Sequence, residues 1–85
     1  MRVSNQSNGP TNWTQNGSGP QQETASQSGS LQAGQETGEL TPSGQAPYWV
    51  TFTNGQTVTS CKFSNPDATV TLNKNWTVSV STGCD

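Results

Sequence analysis

Histidine is absent from this 85-residue chain, cysteine occurs twice, and only three basic side chains stand against five acidic ones. Each shortage excludes a class of chemistry. A zinc site within one chain takes about four Cys, His or carboxylate ligands, and two thiols without an imidazole do not supply them. General acid–base work leans on His or on a pair of acids held at fixed separation. The acids here are Glu23, Glu36, Glu39, Asp67 and Asp85, and Glu36 and Glu39 lie in glycine-rich sequence with no scaffold in view to hold them. No catalytic residue, cofactor-binding residue or metal ligand is therefore assigned. The only cations are Arg2, Lys62 and Lys74, for a formal net charge of −2, which falls far short of the basic stripe that phosphate neutralisation needs. No apolar run approaches the roughly 20 residues of a membrane span, so neither nucleic acid nor membrane is expected as a partner. The opening Met1-Arg2-Val3-Ser4-Asn5 leads into polar sequence rather than the apolar stretch of a signal peptide. The expectation is a route other than signal-peptide export, or a leader already removed.

Apolar residues are scarce as well, at 26% of the chain, against the roughly 45–50% usual in globular domains. They are also unevenly spread. Residues 1–46 hold one Met, one Val, two Leu, one Trp and three Ala among mainly Ser, Asn, Gln, Thr and Gly. Gly9-Pro10, Gly19-Pro20, Thr41-Pro42 and Ala46-Pro47 punctuate them, and a residue before proline is pushed toward extended backbone. With no helical or strand periodicity to read, residues 1–46 are expected to be an extended, low-complexity, non-globular polar arm. Residues 47–85 are expected to form a small β module.

The second half carries strong strand signals. Tyr48-Trp49-Val50-Thr51-Phe52-Thr53 and Gln56-Thr57-Val58-Thr59-Ser60-Cys61-Lys62-Phe63 flank Asn54-Gly55, the pair most favoured in two-residue hairpin loops. That loop predicts the pairs Thr53–Gln56, Phe52–Thr57, Val50–Thr59 and Tyr48–Cys61. A second hairpin joins Ala68-Thr69-Val70-Thr71-Leu72 to Trp76-Thr77-Val78-Ser79-Val80-Ser81 through Asn73-Lys74-Asn75, with Leu72 opposite Trp76, Val70 opposite Val78 and Ala68 opposite Val80. Together they predict a mostly β fold, a four-stranded antiparallel meander. Opposed residues share a face, so the expected core is Tyr48, Val50, Phe52, Phe63, Val70, Leu72, Trp76, Val78 and Val80.

Strand parity puts Cys61 on that inward face, and continuing it past Val80 puts Cys84 there too, so a Cys61–Cys84 disulfide is expected together with an oxidising setting. Trp49 and Val58 have outward parity, and Trp13 stands alone in the polar arm. These three are the expected contact residues, because an aromatic among polar neighbours suits the centre of an interface. Asn-X-Ser/Thr triplets begin at Asn5, Asn12, Asn16 and Asn75, close to the two or three that so much Asn, Ser and Thr produces by chance.

A single sheet must bury its apolar face against something, and an arm without an apolar stripe does not provide it. The expected cover is therefore another protein subunit, in a homo-oligomer or a larger shell or fibre. An extended arm on a small β module is similar in composition and layout to virion-associated minor structural proteins, such as capsid decoration, cement, tail or fibre accessory proteins. That likeness implies a non-enzymatic assembly protein located in a virion or extracellular assembly. One alternative is a small extracellular carbohydrate- or surface-binding module with a flexible linker. Another is a subunit of an extracellular filament.

Overall fold

The computed structural model describes residues 1–18, 26–55 and 58–84. Seven strands follow one another: β1 (Arg2–Asn5), β2 (Thr11–Ser18), β3 (Ser26–Leu31), β4 (Gln45–Thr53), β5 (Val58–Phe63), β6 (Thr69–Leu72) and β7 (Val78–Val80). The described residues contain no helix, so none is long and apolar enough to cross a membrane. The strands form a four-stranded antiparallel sheet in the order β3-β2-β4-β5 and a three-stranded sheet in the order β1-β6-β7. Their inward faces meet in one core. Trp13, Leu31, Val50, Phe52, Cys61 and Phe63 come from the larger sheet; Val3, Val70, Leu72 and Val80 come from the smaller, with Met1 and Ala68 beside it.

For the described residues 1–18 and 26–46, this corrects the reading of an arm outside the fold. β1 pairs in parallel with β6, Val3 against Val70 and Asn5 against Leu72, and β2 is a central strand between β3 and β4. The periodicity of β2 is present but written in polar residues: Thr11, Trp13, Gln15 and Gly17 point inward and are buried, alternating with more exposed Asn12, Thr14, Asn16 and Ser18. A buried polar side chain is tolerable when its hydrogen bonds are made. Gln15, fully buried, makes three. Its Oε1 accepts from the Ser43 N–H at 2.7 Å and from Gln27 Nε2 at 3.0 Å, and its Nε2 donates to the Ser43 carbonyl at 3.1 Å. The amide thus acts as an extra rung that fastens the segment before β4 across the end of the larger sheet. Gly17 lies where that segment crosses, at an irregularity in the β2–β4 register; a Cβ there would collide with the backbone of Ser43, Gly44 and Gln45.

The cover for the apolar face is likewise the chain's own second sheet, so another subunit is not needed to bury it. The free edge of β1 is closed as well. Thr37 and Leu40 donate their N–H groups to the carbonyls of Val3 and Met1, and Asn5 donates to the carbonyl of Gln35. An unpaired sheet edge is a template for foreign strands, and here it is occupied.

The two predicted hairpins exist, yet each belongs to a different sheet, so the single meander does not form. Both registers differ from expectation by two residues. Tyr48 faces Phe63, Val50 faces Cys61, Phe52 faces Thr59 and Thr53 faces Val58, while Leu72 faces Val78 and Val70 faces Val80. The loop between β6 and β7 is correspondingly longer, 73–77. Gln56 and Thr57, expected opposite Thr53 and Phe52, lie outside the described residues. A slip of one residue would have turned every side chain over; a slip of two preserves the faces. Val50, Phe52, Phe63, Val70, Leu72 and Val80 are accordingly buried, and Tyr48, Trp76 and Val78 are partly buried against them.

The disulfide between Cys61 and Cys84 is formed, with 5.7 Å between Cα atoms. It ties β5 of the larger sheet to the segment after β7 of the smaller. The cross-link therefore runs between layers rather than within one.

Candidate functional site

The outer face of the larger sheet is an ordered array set by its registers. Three rows cross the strands: Ser30, Asn12, Thr53 and Val58; Ser28, Thr14, Thr51 and Ser60; Ser26, Asn16, Trp49 and Lys62. Placement on one face follows from alternation, since the intervening residues point into the core. The outer positions of β3 and β5 at Ser26, Ser28, Ser30, Ser60 and Lys62 are exposed, as are Asn12 and Thr14 on β2. Trp49 is half-buried between its direct neighbours Asn16 and Lys62. Among the described residues it is the one aromatic side chain of these rows, which otherwise carry hydroxyls, amides and an ammonium; the side chain of Val58 lies outside the described residues.

Trp13 does not belong with Trp49 as a contact residue. It is 5% exposed, and its ring lies on Gly29 of the neighbouring strand, where even a Cβ would sit 3.0 Å from Nε1. The isolated aromatic of the polar half is thus a core anchor, housed by a glycine directly opposite.

A second feature lies at the end of the sandwich where the loops meet. Two shallow clefts of about 250 and 200 Å³ share Pro10 and Asn54. The first continues along Asn12, Ser30 and Thr53; the second runs past Asn8 to Lys74 and Trp76. Both walls of the second cleft are tied down by side chains. Asn5, fully buried, donates from Nδ2 to the carbonyls of Gly9 at 2.9 Å and Leu31 at 3.1 Å, and its Oδ1 accepts from the Ser7 N–H at 3.0 Å. In the opposite wall Asn73 donates to the hydroxyls of Thr77 and Ser79, and Thr77 donates to Asn75. Trp76, expected to start a strand opposite Leu72, sits instead in this turn with φ at +62°, a left-handed conformation that costs a residue with a Cβ about 1–2 kcal/mol. Its indole N–H is buried and has no acceptor among the described residues.

The charged groups are used locally. Arg2 Nε donates to Glu39 at 3.0 Å, and its guanidinium lies 3.9 Å from Glu36. The Arg2 hydrogen bond, followed by the Met1 amino group, holds the Glu39 carboxyl below the usual carboxylate range. Asp67 lies in a turn where its N–H donates to Asn65, and Glu23 and Asp85 lie outside the described residues. Among the described residues no three His, Cys, Asp or Glu side chains come together as a metal site. Of the triplet asparagines, Asn5 is spent inside the fold, Asn12 and Asn75 are exposed and Asn16 is half-buried.

Sequence reasoning missed Asn8, Asn54 and Lys74 as partners of one cleft, since each reads as an ordinary loop residue. A sequence signal does exist: Lys74 and Trp76 flank Asn75 in one turn, and Asn8 and Asn54 each precede a glycine in a loop. That these turns share one end of the fold requires the parallel β1–β6 pairing, which no local pattern reveals. No family model, curated protein or solved structure matches the chain.

Proposed function

We propose that the chain is a non-enzymatic structural module of a virion-borne or extracellular assembly, of the decoration, cement or fibre-accessory kind. It docks to a protein subunit, a second copy or a member of a larger shell or fibre, through the outer face of its four-stranded sheet. The observation that carries this is the row Ser26, Asn16, Trp49 and Lys62 within a nearly uncharged array. Interfaces concentrate their energy in a few aromatic or Arg anchors ringed by near-neutral polar contacts, and Trp49 is so placed. Supporting this reading, the thiols are joined to each other and Glu36 and Glu39 face Arg2, while the inter-sheet disulfide suits a setting outside a reducing cytosol. Nucleic acid and membrane surfaces do not enter it, given three cations and a net charge of −2.

Because the core closes within the chain, docking joins bodies already folded, and the cost of ordering a free arm is not incurred. Trp49→Ala is expected to leave the unfolding midpoint nearly unchanged, since the ring lies outside the inter-sheet core. It is expected to weaken incorporation into the native complex by about 2 kcal/mol, roughly 30-fold. Size-exclusion chromatography of wild type and variant from the native source measures both the complex and its loss. A wild-type chain that elutes as a free monomer contradicts the proposal, as does a variant that incorporates normally.

A further inference from the structure

We infer that the trough at the loop end of the sandwich, between the 6–10 loop, Asn54 and the 73–77 turn, binds an oligosaccharide, with Trp76 as the stacking surface. The first cleft borders the docking face through Asn12, Ser30 and Thr53, whereas Trp76 belongs to the smaller sheet's hairpin.

The chemistry of the lining selects the ligand. Asn8, Asn12 and Asn54 line the clefts with amides, Ser30 and Thr53 with hydroxyls and Lys74 with one ammonium; the Ser30 hydroxyl donates to Asn12 Oδ1 and the Thr53 hydroxyl accepts from the Gly55 N–H, and among the described residues no carboxylate lines either cleft. Such a lining suits a neutral or singly acidic polyol. A polyphosphate would need several cations, and an apolar ligand would leave the amides unpaired. Shape points the same way. The two clefts, of about 250 and 200 Å³, are each smaller than the roughly 300–1,000 Å³ pockets that enclose compact ligands, and they adjoin through Pro10 and Asn54. A ligand lying along them is held by lateral hydrogen bonds and by one face of a ring, as an extended sugar chain is.

Two further observations bear on Trp76. Its backbone is held in the left-handed region at φ +62°, in a turn where Asn or Gly would serve without strain. Strain of this kind gathers at ligand clamps. The trough is also prepared before anything binds, because Asn5 fixes one wall and Asn73 the other through side-chain hydrogen bonds. Rigid walls reduce the ordering cost that weakens polar recognition of flexible ligands.

The test is a two-dimensional NMR titration of the isotopically labelled, disulfide-intact chain with neutral (cello-, chito- and manno-) and uronate-containing oligosaccharides. At least one series is expected to give saturable shifts at Asn8, Asn54, Lys74 and the Trp76 indole. Trp76→Ala should weaken that binding tenfold or more. Since Trp76 also packs on the core, Lys74→Ala, on an exposed side chain, serves as the second variant and should weaken binding at least threefold with the fold intact. Trp49→Ala should bind as wild type. The inference is overturned if no series shifts the trough, if the shifts centre on the Trp49 face, or if Lys74→Ala binds unchanged.

Discussion

Trp13→Ala is expected to destabilise the chain by about 3–5 kcal/mol, the usual cost of emptying a buried tryptophan site. A domain of this size has only about 4–13 kcal/mol in total, so the loss takes a large share of its stability. The magnitude follows from position. Trp13 is on the central strand β2, almost fully buried, its ring over Gly29 and joined to the core that both sheets share. A Cβ at residue 29 would already crowd the ring, so the neighbouring strand is shaped to this one side chain. Trp13→Phe separates packing from hydrogen bonding. The indole N–H has no acceptor among the described residues, and its removal relieves a desolvation cost of about 1–3 kcal/mol that offsets part of the lost contact. Urea unfolding of the three proteins should therefore rank wild type above or near Trp13→Phe, and both far above Trp13→Ala. An alanine variant within 1 kcal/mol of wild type would place residue 13 outside the core.

Removing the Cys61–Cys84 cross-link is expected to cost about 3 kcal/mol. Chain-entropy reasoning gives that value for a separation of 23 residues. In a domain this small it corresponds to a fall of about 12–24 °C in the unfolding midpoint. Cys61 is 4% exposed and counts among the core side chains, and a reduced buried cysteine packs as a small hydrophobe. The loss thus comes from the link between layers more than from the cavity around it. The double variant Cys61→Ala/Cys84→Ala and the wild type with reductant should fall by similar amounts in calorimetry. Unchanged midpoints in both would mean that packing alone holds the two sheets together.

The second half of the chain was readable because its strands carry their burial in apolar residues. Val50, Phe52 and Phe63, or Val70, Leu72 and Val80, show period two directly. Their faces survived an error in register, since each pairing moved by two and not by one. The first half has the same period in β2, but with Thr11, Gln15 and Gly17 on the inside. Composition treats those residues as solvent-loving. Their burial depends on partners distant in sequence: the Ser43 backbone and Gln27 for Gln15, and the Thr53 carbonyl for Thr11. The parallel pairing of residues 2–5 with residues 69–72 likewise has no connecting turn to announce it. Trp49 was legible as an outward aromatic through parity alone. The trough was not, because it assembles three loops that only the two-sheet arrangement brings together.

Amide hydrogen exchange on the purified, disulfide-intact monomer tests most directly whether residues 1–46 are part of a self-contained fold. The account predicts that the hydrogen-bonded amides of β2 around Trp13 and Gln15 exchange as slowly as those of β4 around Val50 and Phe52, as members of one cooperative unit. Exchange of the β2 amides at unprotected rates, with β4 and β6 still protected, would contradict it and return the first half of the chain to an arm that only a partner can order.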